Sequence, residues 1–538
     1  MAINQPKLNS NFRRWPWLAG FSAILVLSGL SLGLAWVSSG FENLRGWESF
    51  WMVLALGGGL LLLAWKALRR GERLDLPAWL GWLLLGAALL RLAVGVFWFI
   101  ALPAWGYGSQ VEQAGYIMSD AKARDQAAWE LSVSSQPLWS AFRNYRQADQ
   151  YGGLLYLSAL VYRYLGSETH QPLLIVVLAA AVSALAVLFA WAFTRITFSR
   201  RTANISAWLL ALYPEAILLG GSQMREAFTI TLAAMAFYGL TRSRQERAWD
   251  GLLWLFGALL VCLPLSPPFS ALLLGALAFQ ALSLDGWRVL RQRWLWFGLG
   301  VLFLAVLIGV WLSWERLAPQ GVDNPFALIG WWLKQSAKWQ VHLTRKASGW
   351  MQRIFRTTPA WSHMPFLVAY GVLQPFLPAG LLEDSLPIWR AIAVWRALGW
   401  TLLLVLLFAA PLRAWRDRNA PGAARGLALV VWLVVLLASA RSGGDLWDNP
   451  RYRVAFAALQ VSLAAWVWIE QRRQPDPWFK RLAVGLLLVL AWFVPWYLRR
   501  YTAFSWPVVD LFKTVGLGLA SAVLFALWDW ARKARIES

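Results

Sequence analysis

The sequence predicts an all-α polytopic membrane protein with about fourteen transmembrane helices. Of the 538 residues, 59% are hydrophobic and only 14% are charged. Long stretches, such as residues 21–37 and 173–193, contain almost no charge, and runs of roughly 18 to 20 apolar residues match the thickness of the bilayer core. These runs also lack the interleaved polar positions that helices of soluble proteins show.

The apolar runs define the predicted helices in order. They cover residues 15–37, 49–68, 79–102, 172–195, 203–220, 226–241, 251–265, 269–284, 293–313, 390–412, 424–440, 453–469, 481–498 and 508–530. No small-residue cleavage site follows the first run, so it is interpreted as an anchor and not as a signal peptide. With this count, 27 of the 50 basic residues lie on the side of the N-terminus, and only seven lie in short loops on the other side. The positive-inside rule therefore predicts that both termini are cytoplasmic.

The net charge of +23 follows from this loop distribution. Membrane lipids are the partners that such a pattern predicts, and no nucleic-acid partner is expected. The single cysteine, Cys262, excludes an internal disulfide and a cysteine-based metal cluster. The forty tryptophans gather near the predicted helix ends, which is typical of interfacial anchoring.

Two long segments are predicted to face outward. The first, residues 104–171, is rich in acids, and within it residues 151–165 form a short apolar stretch that predicts an interfacial helix. The second, residues 314–389, is basic and rich in tryptophan. Its apolar part, 366–382, is broken by prolines and predicts an interfacial or re-entrant piece.

The external acids are the first candidates for chemistry, because a carboxylate can take a proton from an attacking hydroxyl. Asp120 and Asp125 are five residues apart, so on one helix they are about 140° apart and do not share a face. Only one of the two is therefore expected to point into a given site. The alternative for each is an acid in a solvated loop.

Charged residues within or beside the predicted helices are the second set. Arg91 lies near the middle of the third apolar run, where a charge is costly and predicts a partner or a polar cavity inside the bundle. Arg225 and Glu226 stand at the outer start of another run. They predict either an anchoring ion pair or residues that line a cavity.

The third set is the segment 449–453 (NPRYR), which leads directly into a predicted helix. Arg451 and Arg453 flank Tyr452 at the outer membrane surface, and guanidinium groups bind phosphate oxygens in a fixed fork. A lipid phosphate is the ligand that this arrangement favours. Arg225 is a further candidate for it, and membrane anchoring is the alternative.

Other motifs are missing. The three histidines, His170, His342 and His363, match no zinc spacing, so no metal ligand is predicted. The sequence contains no Walker A loop, no GxGxxG after a strand and no GxSxG elbow. ATP-driven transport and serine hydrolysis therefore have no visible machinery.

Together these features resemble the C-type membrane glycosyltransferases, which include protein O-mannosyltransferases and the enzymes that add aminoarabinose to lipid A. The likeness is carried by an arginine-containing helix before Ser119-Asp120, by the segment 152–156 (GGLLY), by Tyr213-Pro214 followed by Arg225-Glu226, and by the late "RYR". It extends over roughly residues 79–470. The sequence departs from the pattern in two preceding helices and in Arg124, which stands where a tyrosine is common.

The resemblance implies a donor sugar linked to a polyprenyl phosphate and an acceptor outside the membrane. Asp120 would be the general base of an inverting transfer, with Asp125 as a second candidate, and Arg451, Arg453, Tyr452 and Arg225 would bind the phosphate. It leaves open whether a divalent cation takes part. The implied division is an N-terminal extension 1–77, a catalytic transmembrane module 78–313 with the loop 104–171, the external loop 314–389 and a C-terminal module 390–538.

Two alternatives stay open at this stage. A transporter or flippase for an anionic lipid-linked substrate would use Arg91 and the outer basic residues as its path, although paired interrupted helices in two related halves are not evident. A surface-glycan polymerase or ligase would share much of the transferase chemistry. The sugar, the acceptor and any partner subunit cannot be read from the sequence.

Overall fold

The structure is a computed structural model that describes residues 16–72, 76–244, 248–291, 293–312, 324, 327–328, 330–331, 349–375, 377–382, 385–443, 445 and 447–537. Lys7, Arg13 and Arg14 lie outside these residues, as do His342 and most of the predicted basic loop. Within the described part of the chain every regular element is a helix. The predicted all-α polytopic class is confirmed.

The first ten α-helices include the one that carries Asp120. They are α1 (Pro16–Ser38), α2 (Trp47–Glu72), α3 (Ala78–Trp105), α4 (Gln110–Gln113), α5 (Ser119–Val133), α6 (Gly153–Leu165), α7 (Leu173–Thr197), α8 (Arg200–Leu212), α9 (Pro214–Gly220) and α10 (Glu226–Ser243).

The remaining twelve α-helices also include both long and short helices. They are α11 (Ala248–Leu265), α12 (Pro267–Asp285), α13 (Arg293–Leu312), α14 (Gly349–Thr357), α15 (Ala360–Leu373), α16 (Leu377–Leu382), α17 (Pro387–Arg416), α18 (Gly422–Ser442), α19 (Asp448–Val454), α20 (Ala457–Arg473), α21 (Pro477–Tyr501) and α22 (Leu511–Glu537).

Each of the fourteen predicted apolar runs coincides with a helix or with a bent helix pair. Among the described residues, nine helices are long and apolar enough to cross a membrane, or eleven if each bent pair counts as one. Two further apolar helices, α11 and α13, are shorter. The protein is thus a multi-pass membrane protein, and the count of fourteen stays a prediction.

Helix α7 forms the centre of the bundle. Its most apolar stretch is 94% buried, and it packs against α2, α3, α8 and α10. A helix that is apolar on all sides and enclosed by others needs no polar face. In contrast, α21 and α22 pack mainly on each other, and their apolar stretches are only 17% and 11% buried. Their exposed apolar side chains suit contact with lipid.

Two bends shape the end of the bundle that carries the acids. Helices α8 and α9 meet at 54°, where Pro214 begins α9 and Tyr213 before it is extended. Proline has no N–H for the helix and disfavours a helical residue before it, so the chain must turn here. Helices α19 and α20 meet at 76°. Two predicted spans, 203–220 and 453–469, are therefore broken helices.

The two predicted external segments contain the expected helices where they are described. Helix α6 corresponds to the apolar stretch 151–165, and it buries one face against α5. In the second segment, α15 ends before Pro375 and α16 follows. The placement of both segments on the external side stays a prediction.

Candidate active site

Arg451 is the centre of a cluster that three separate helices build. From α19, its Nε lies 2.7 Å from Oε1 of Glu226 and its Nη2 lies 3.0 Å from Oδ2 of Asp120. Nη1 lies 3.5 Å from Asp448 on the same helix. Asp120 is in the first turn of α5 and Glu226 begins α10. The positive ends of both helix dipoles stabilise these carboxylates.

Asp120 is the accessible member of the cluster. Its side chain is 40% exposed, whereas those of Arg451 and Glu226 are 10% and 11% exposed. Partial burial raises the pKa of the Asp120 carboxyl, but Arg451 and then Arg124 outweigh this and hold the pKa below its ordinary value. Asp120 is therefore ionised at neutral pH and can accept a proton from a group that approaches from outside.

Arg124 forms a second layer behind Asp120. Its Nη2 lies 3.9 Å from Asp120, its Nε lies 3.7 Å from Asp149, and its Nη1 donates to the carbonyl of Gln223 at 3.0 Å. Asp149 accepts from the backbone N–H groups of Tyr151 and Leu155 at the start of α6. Sequence analysis noted Arg124 only as a departure from the family pattern and did not single out Asp149. The spacing of Asp120 and Arg124 nevertheless suits an ion pair on one helix.

Arg225 stands beside the cluster without a carboxylate partner among the described residues. Its guanidinium lies 4.9 Å from the ring centre of Tyr151, a cation–π distance. It precedes Glu226 in the chain, so it borders the same site. A hydrogen bond with the Tyr151 side chain accompanies this ring contact.

Asp125 belongs to a different cluster. It is 1% exposed. Its oxygens accept from the hydroxyls of Tyr116 at 2.5 Å and Tyr162 at 2.6 Å, and they lie 2.8 Å from Nε2 of His170. Burial, and then the charge of Asp125, raise the pKa of Tyr116, so this phenol stays neutral and donates. Asp120 and Asp125 thus face different partners.

Arg453 is placed away from Asp120. It is fully buried, and its guanidinium lies 3.3 Å from the ring centre of Trp400 and beside Tyr213. A buried pair between Arg396 and Glu215, at 2.8 Å, lies nearby. Tyr452, between the two arginines in sequence, is 37% exposed. The structure therefore separates Arg453 from the cluster that holds Arg451.

Arg91 lies inside the bundle, between α3, α7 and α8. Its Nε donates to the Ser183 hydroxyl at 3.1 Å, and its Nη atoms donate to the carbonyls of Ala87 and Leu210 at 3.0 and 3.3 Å. The side chain is fully buried. These neutral acceptors satisfy the guanidinium and tie the three helices together.

A divalent ion does not fit this cluster. The Arg451 guanidinium already stands between the carboxylates of Asp120 and Glu226, where an ion would need them. In the part of the chain that the structure describes, no group of three or more His, Cys, Asp or Glu side chains could hold a metal. We therefore assign no step to a metal.

Comparison with known proteins supports a glycosyltransferase resemblance. Residues 153–314 match the family described as dolichyl-phosphate-mannose-protein mannosyltransferase. The resemblance to the C-type membrane glycosyltransferases is confirmed. This glycosyltransferase match includes Arg225 and Glu226 but not Asp120 or Arg451. No curated protein sequence matches the chain.

Solved structures of the oligosaccharyltransferase AglB from Archaeoglobus fulgidus overlap with the chain at 14% identity. The complex with an inhibitory peptide and a dolichol-phosphate gives a TM-score of 0.39 and covers 83% of this chain. The form tethered to an acceptor peptide gives 0.41 and covers 84%. In both cases the overlap covers 56% of the AglB chain, so the present chain spans little more than half the length of these structures.

Proposed function

We propose that the protein is a membrane glycosyltransferase that moves a sugar from a polyprenyl-phosphate carrier to an acceptor on the external face of the membrane. The observation that carries this proposal is the 3.0 Å contact between the exposed carboxylate of Asp120 and the buried guanidinium of Arg451. A base and an anion-binding group are the two functions that such a transfer requires. The family match over residues 153–314 supports the same class.

In the proposed reaction Asp120 removes the proton from an acceptor hydroxyl or amine. The acceptor atom bonds to the anomeric carbon from the face opposite the phosphate, the bond from that carbon to the phosphate oxygen breaks, and the configuration inverts. The proton stays on Asp120, and the polyprenyl phosphate leaves with the electron pair. Negative charge therefore grows on the phosphate, where arginines stabilise it most in the transition state.

Arg225 and Arg451 divide this task in the proposed mechanism. Among the described residues Arg225 contacts the Tyr151 ring and no acid, so it makes the first contact with the carrier phosphate. Arg451 is held by Glu226 and Asp120 before the donor binds. A phosphate that takes over Nη2 of Arg451 would release the Asp120 carboxylate, so that donor binding itself frees the base.

The structure favours this function over a transporter. A transport path through the bundle would need Arg91 in an open cavity, but Arg91 is fully buried and bonded to three neighbouring groups. The central helix α7 is enclosed along its length. The charged cluster lies in the first turns of α5 and α10 and in the short helix α19, which suits chemistry at a membrane surface.

Turnover of a defined donor tests the proposal. The purified protein in lipid nanodiscs would receive radiolabelled polyprenyl-phosphate mannose and a serine-containing peptide. Released polyprenyl phosphate and labelled peptide would both be measured. Formation of a glycosidic product with inverted configuration supports the proposal. In sealed proteoliposomes, movement of intact donor between the two leaflets without any product would indicate a flippase instead.

A further inference from the structure

Asn449 is a buried amide at the start of the helix that carries Arg451. It lies in the first turn of α19, two residues before Arg451, and it is 0% exposed. Its Nδ2 donates to the carbonyl of Gly371 at 2.7 Å and to the carbonyl of Gly443 at 2.8 Å. Both acceptors are carbonyl oxygens, so only the NH2 end of the amide can face them. One side chain therefore joins α19 to the ends of α15 and α18.

The two carbonyls lie at the C-terminal ends of helices, where intrahelical partners run out. Gly371 is in the last turn of α15, and the residue four positions later is Pro375, which has no N–H to donate. From its own segment this carbonyl has only the N–H of Gln374, at 3.2 Å. Gly443 ends α18 with a φ of 56°, which favours glycine. The C-terminal end of a helix dipole is negative, so two such ends side by side favour a hydrogen-bond donor between them.

The three helices are in direct contact at this point. A Cβ on Gly371 would stand 2.6 Å from the Gly443 oxygen and 2.7 Å from Nδ2 of Asn449, which is closer than nonbonded atoms approach. Helix α15 packs along α18, and α19 contacts α18 as well. Close-packed interiors transmit displacements. A shift of α15 would therefore displace Asn449 and the helix to which it belongs.

Helix α19 depends on such contacts for its direction. It has only seven residues and meets α20 at 76°, and a helix of this length is not stable alone. The Asp445 carboxylate accepts from the N–H groups of Trp447 and Asp448 at 2.7 Å each, which starts the helix locally. These bonds stay within one short stretch of chain. The bond from Asn449 to Gly371, in contrast, ties α19 to a helix 78 residues earlier in the sequence.

We propose that Asn449 is a positioning residue, through which α15 holds α19 so that Nη2 of Arg451 stays 3.0 Å from Asp120. The inference rests on the proposed transferase function. It adds to that function a role for the segment 314–389, to which α15 belongs, because this segment then sets the contact between the phosphate-binding arginine and the base.

Asn449→Ala is the direct test, because it removes both hydrogen bonds of the amide. Arg451 should then move away from Asp120, so the pKa of Asp120 rises and the acid limb of kcat/KM moves to higher pH. We expect kcat to fall about ten- to 100-fold. Asn204→Ala is the matched control, since Asn204 accepts from the Trp191 indole at 2.9 Å on a different pair of helices. It should lower the Tm and leave the acid limb at the wild-type pH.

Gly371→Ala tests the same contact from the side of α15 and leaves Asn449 in place. The added Cβ overlaps the amide and the Gly443 carbonyl, so this variant should show the same shift of the acid limb. Gly86→Ala is its control, because a Cβ on Gly86 would meet no atom within 4 Å. If Asn449→Ala does not fold, Gly371→Ala carries the kinetic test.

A double-mutant cycle tests the positioning without any donor. The loss of unfolding free energy caused by Arg451→Gln would be measured by SDS unfolding in mixed micelles, in three backgrounds. If Asn449 positions Arg451, the loss is smaller in the Gly371→Ala or Asn449→Ala background than in the wild type. In the Asn204→Ala background the loss should equal the wild-type value.

Two results would each overturn the inference. One is a lower Tm in the Asn449 and Gly371 variants together with a wild-type acid limb, which would make Asn449 purely structural. The other is an additive cycle. An inactive wild type with a non-additive cycle counts against the transferase function, and the positioning of Arg451 stands. An active wild type with an additive cycle counts against the role of Asn449 alone.

Discussion

Asp120 is the residue on which the proposed chemistry depends. Asp120→Asn removes the base but keeps the size of the side chain, and we expect turnover to fall at least 100-fold. Glu130→Gln, the same change on the same helix α5, is the control and should keep its turnover. The measurement is release of polyprenyl phosphate by purified protein. Near wild-type turnover in Asp120→Asn would assign the base to another group.

Arg451 is expected both to stabilise the transition state and to contribute to the stability of the fold. Arg451→Gln should slow transfer by about 100-fold or more, because charge grows on the leaving phosphate. It also leaves Glu226 without its cation, and breaking a buried pair costs about 3–5 kcal/mol of unfolding free energy. The double variant Arg451→Gln/Glu226→Gln should regain stability but not turnover. Recovery of turnover in the double variant would exclude a role at the phosphate.

Arg453 allows a contrasting prediction. Sequence analysis predicts that Arg453 binds the donor phosphate, as Arg451 does. In the structure, however, its guanidinium is fully buried against Trp400. We expect Arg453→Gln to lower the Tm and to leave the donor affinity of the folded protein unchanged. Weaker donor binding with an unchanged Tm would instead show that Arg453 takes part in binding the donor phosphate.

The pH dependence of transfer should report on Arg124. Asp120 works as a base only when ionised, so the rate falls as the pH drops through its pKa. Arg451 and Arg124 hold that pKa below its ordinary value. Arg124→Gln removes one of the two cations, so the pKa of Asp120 rises and the acid limb of kcat/KM moves to higher pH. If the acid limb of the variant stays at the wild-type pH, Arg124 does not influence the pKa of the catalytic base.

At the scale of elements, the buried cluster around Asp125 joins α5 to α6 and to the segment before α7. Two phenols and His170 bond to one carboxylate, and hydrogen bonds to a charged group contribute roughly 1.5–3 kcal/mol each. We therefore expect Asp125→Asn to lower the unfolding free energy by about 2–4 kcal/mol. Chemical denaturation measures this. A variant of wild-type stability but without turnover would instead make Asp125 catalytic.

The positions of the helices were predictable from the sequence, but the contacts between side chains of different helices were not. Apolar length and charge placement are local properties, so each predicted run coincides with a helix. The spacing of Asp120 and Asp125 also indicated correctly that they face different ways. Nothing local links Arg451 to Glu226, 225 residues earlier. Likewise, the burial of Arg453 depends on Trp400 from another helix. The bend after Tyr213 is set by Pro214, which interrupts the predicted helix 203–220.

At the scale of the whole molecule, the proposed mechanism requires that the segment that carries Asp120 lies on the external side of the membrane. In a variant with Cys262→Ala, a cysteine at Ser135 should react with a membrane-impermeant thiol reagent in intact cells. A cysteine at Asn419, in the exposed connection between α17 and α18, should react only after permeabilisation. The reverse pattern would place Asp120 on the cytoplasmic side.

The three-helix origin of the Arg451 cluster has a consequence for biosynthesis. During translation Asp120 and Glu226 are made long before Arg451, so for most of synthesis Asp120 has Arg124 beside it but neither carboxylate has its contact with Arg451. The nascent protein cannot acquire a finished centre until α19 has emerged and docked. A ribosome that stops in the connection 417–421 would leave an inert, acid-bearing bundle. Supplying the missing C-terminal piece as a separate polypeptide should then restore both the ion pairs and turnover, which co-expression of the two halves can measure.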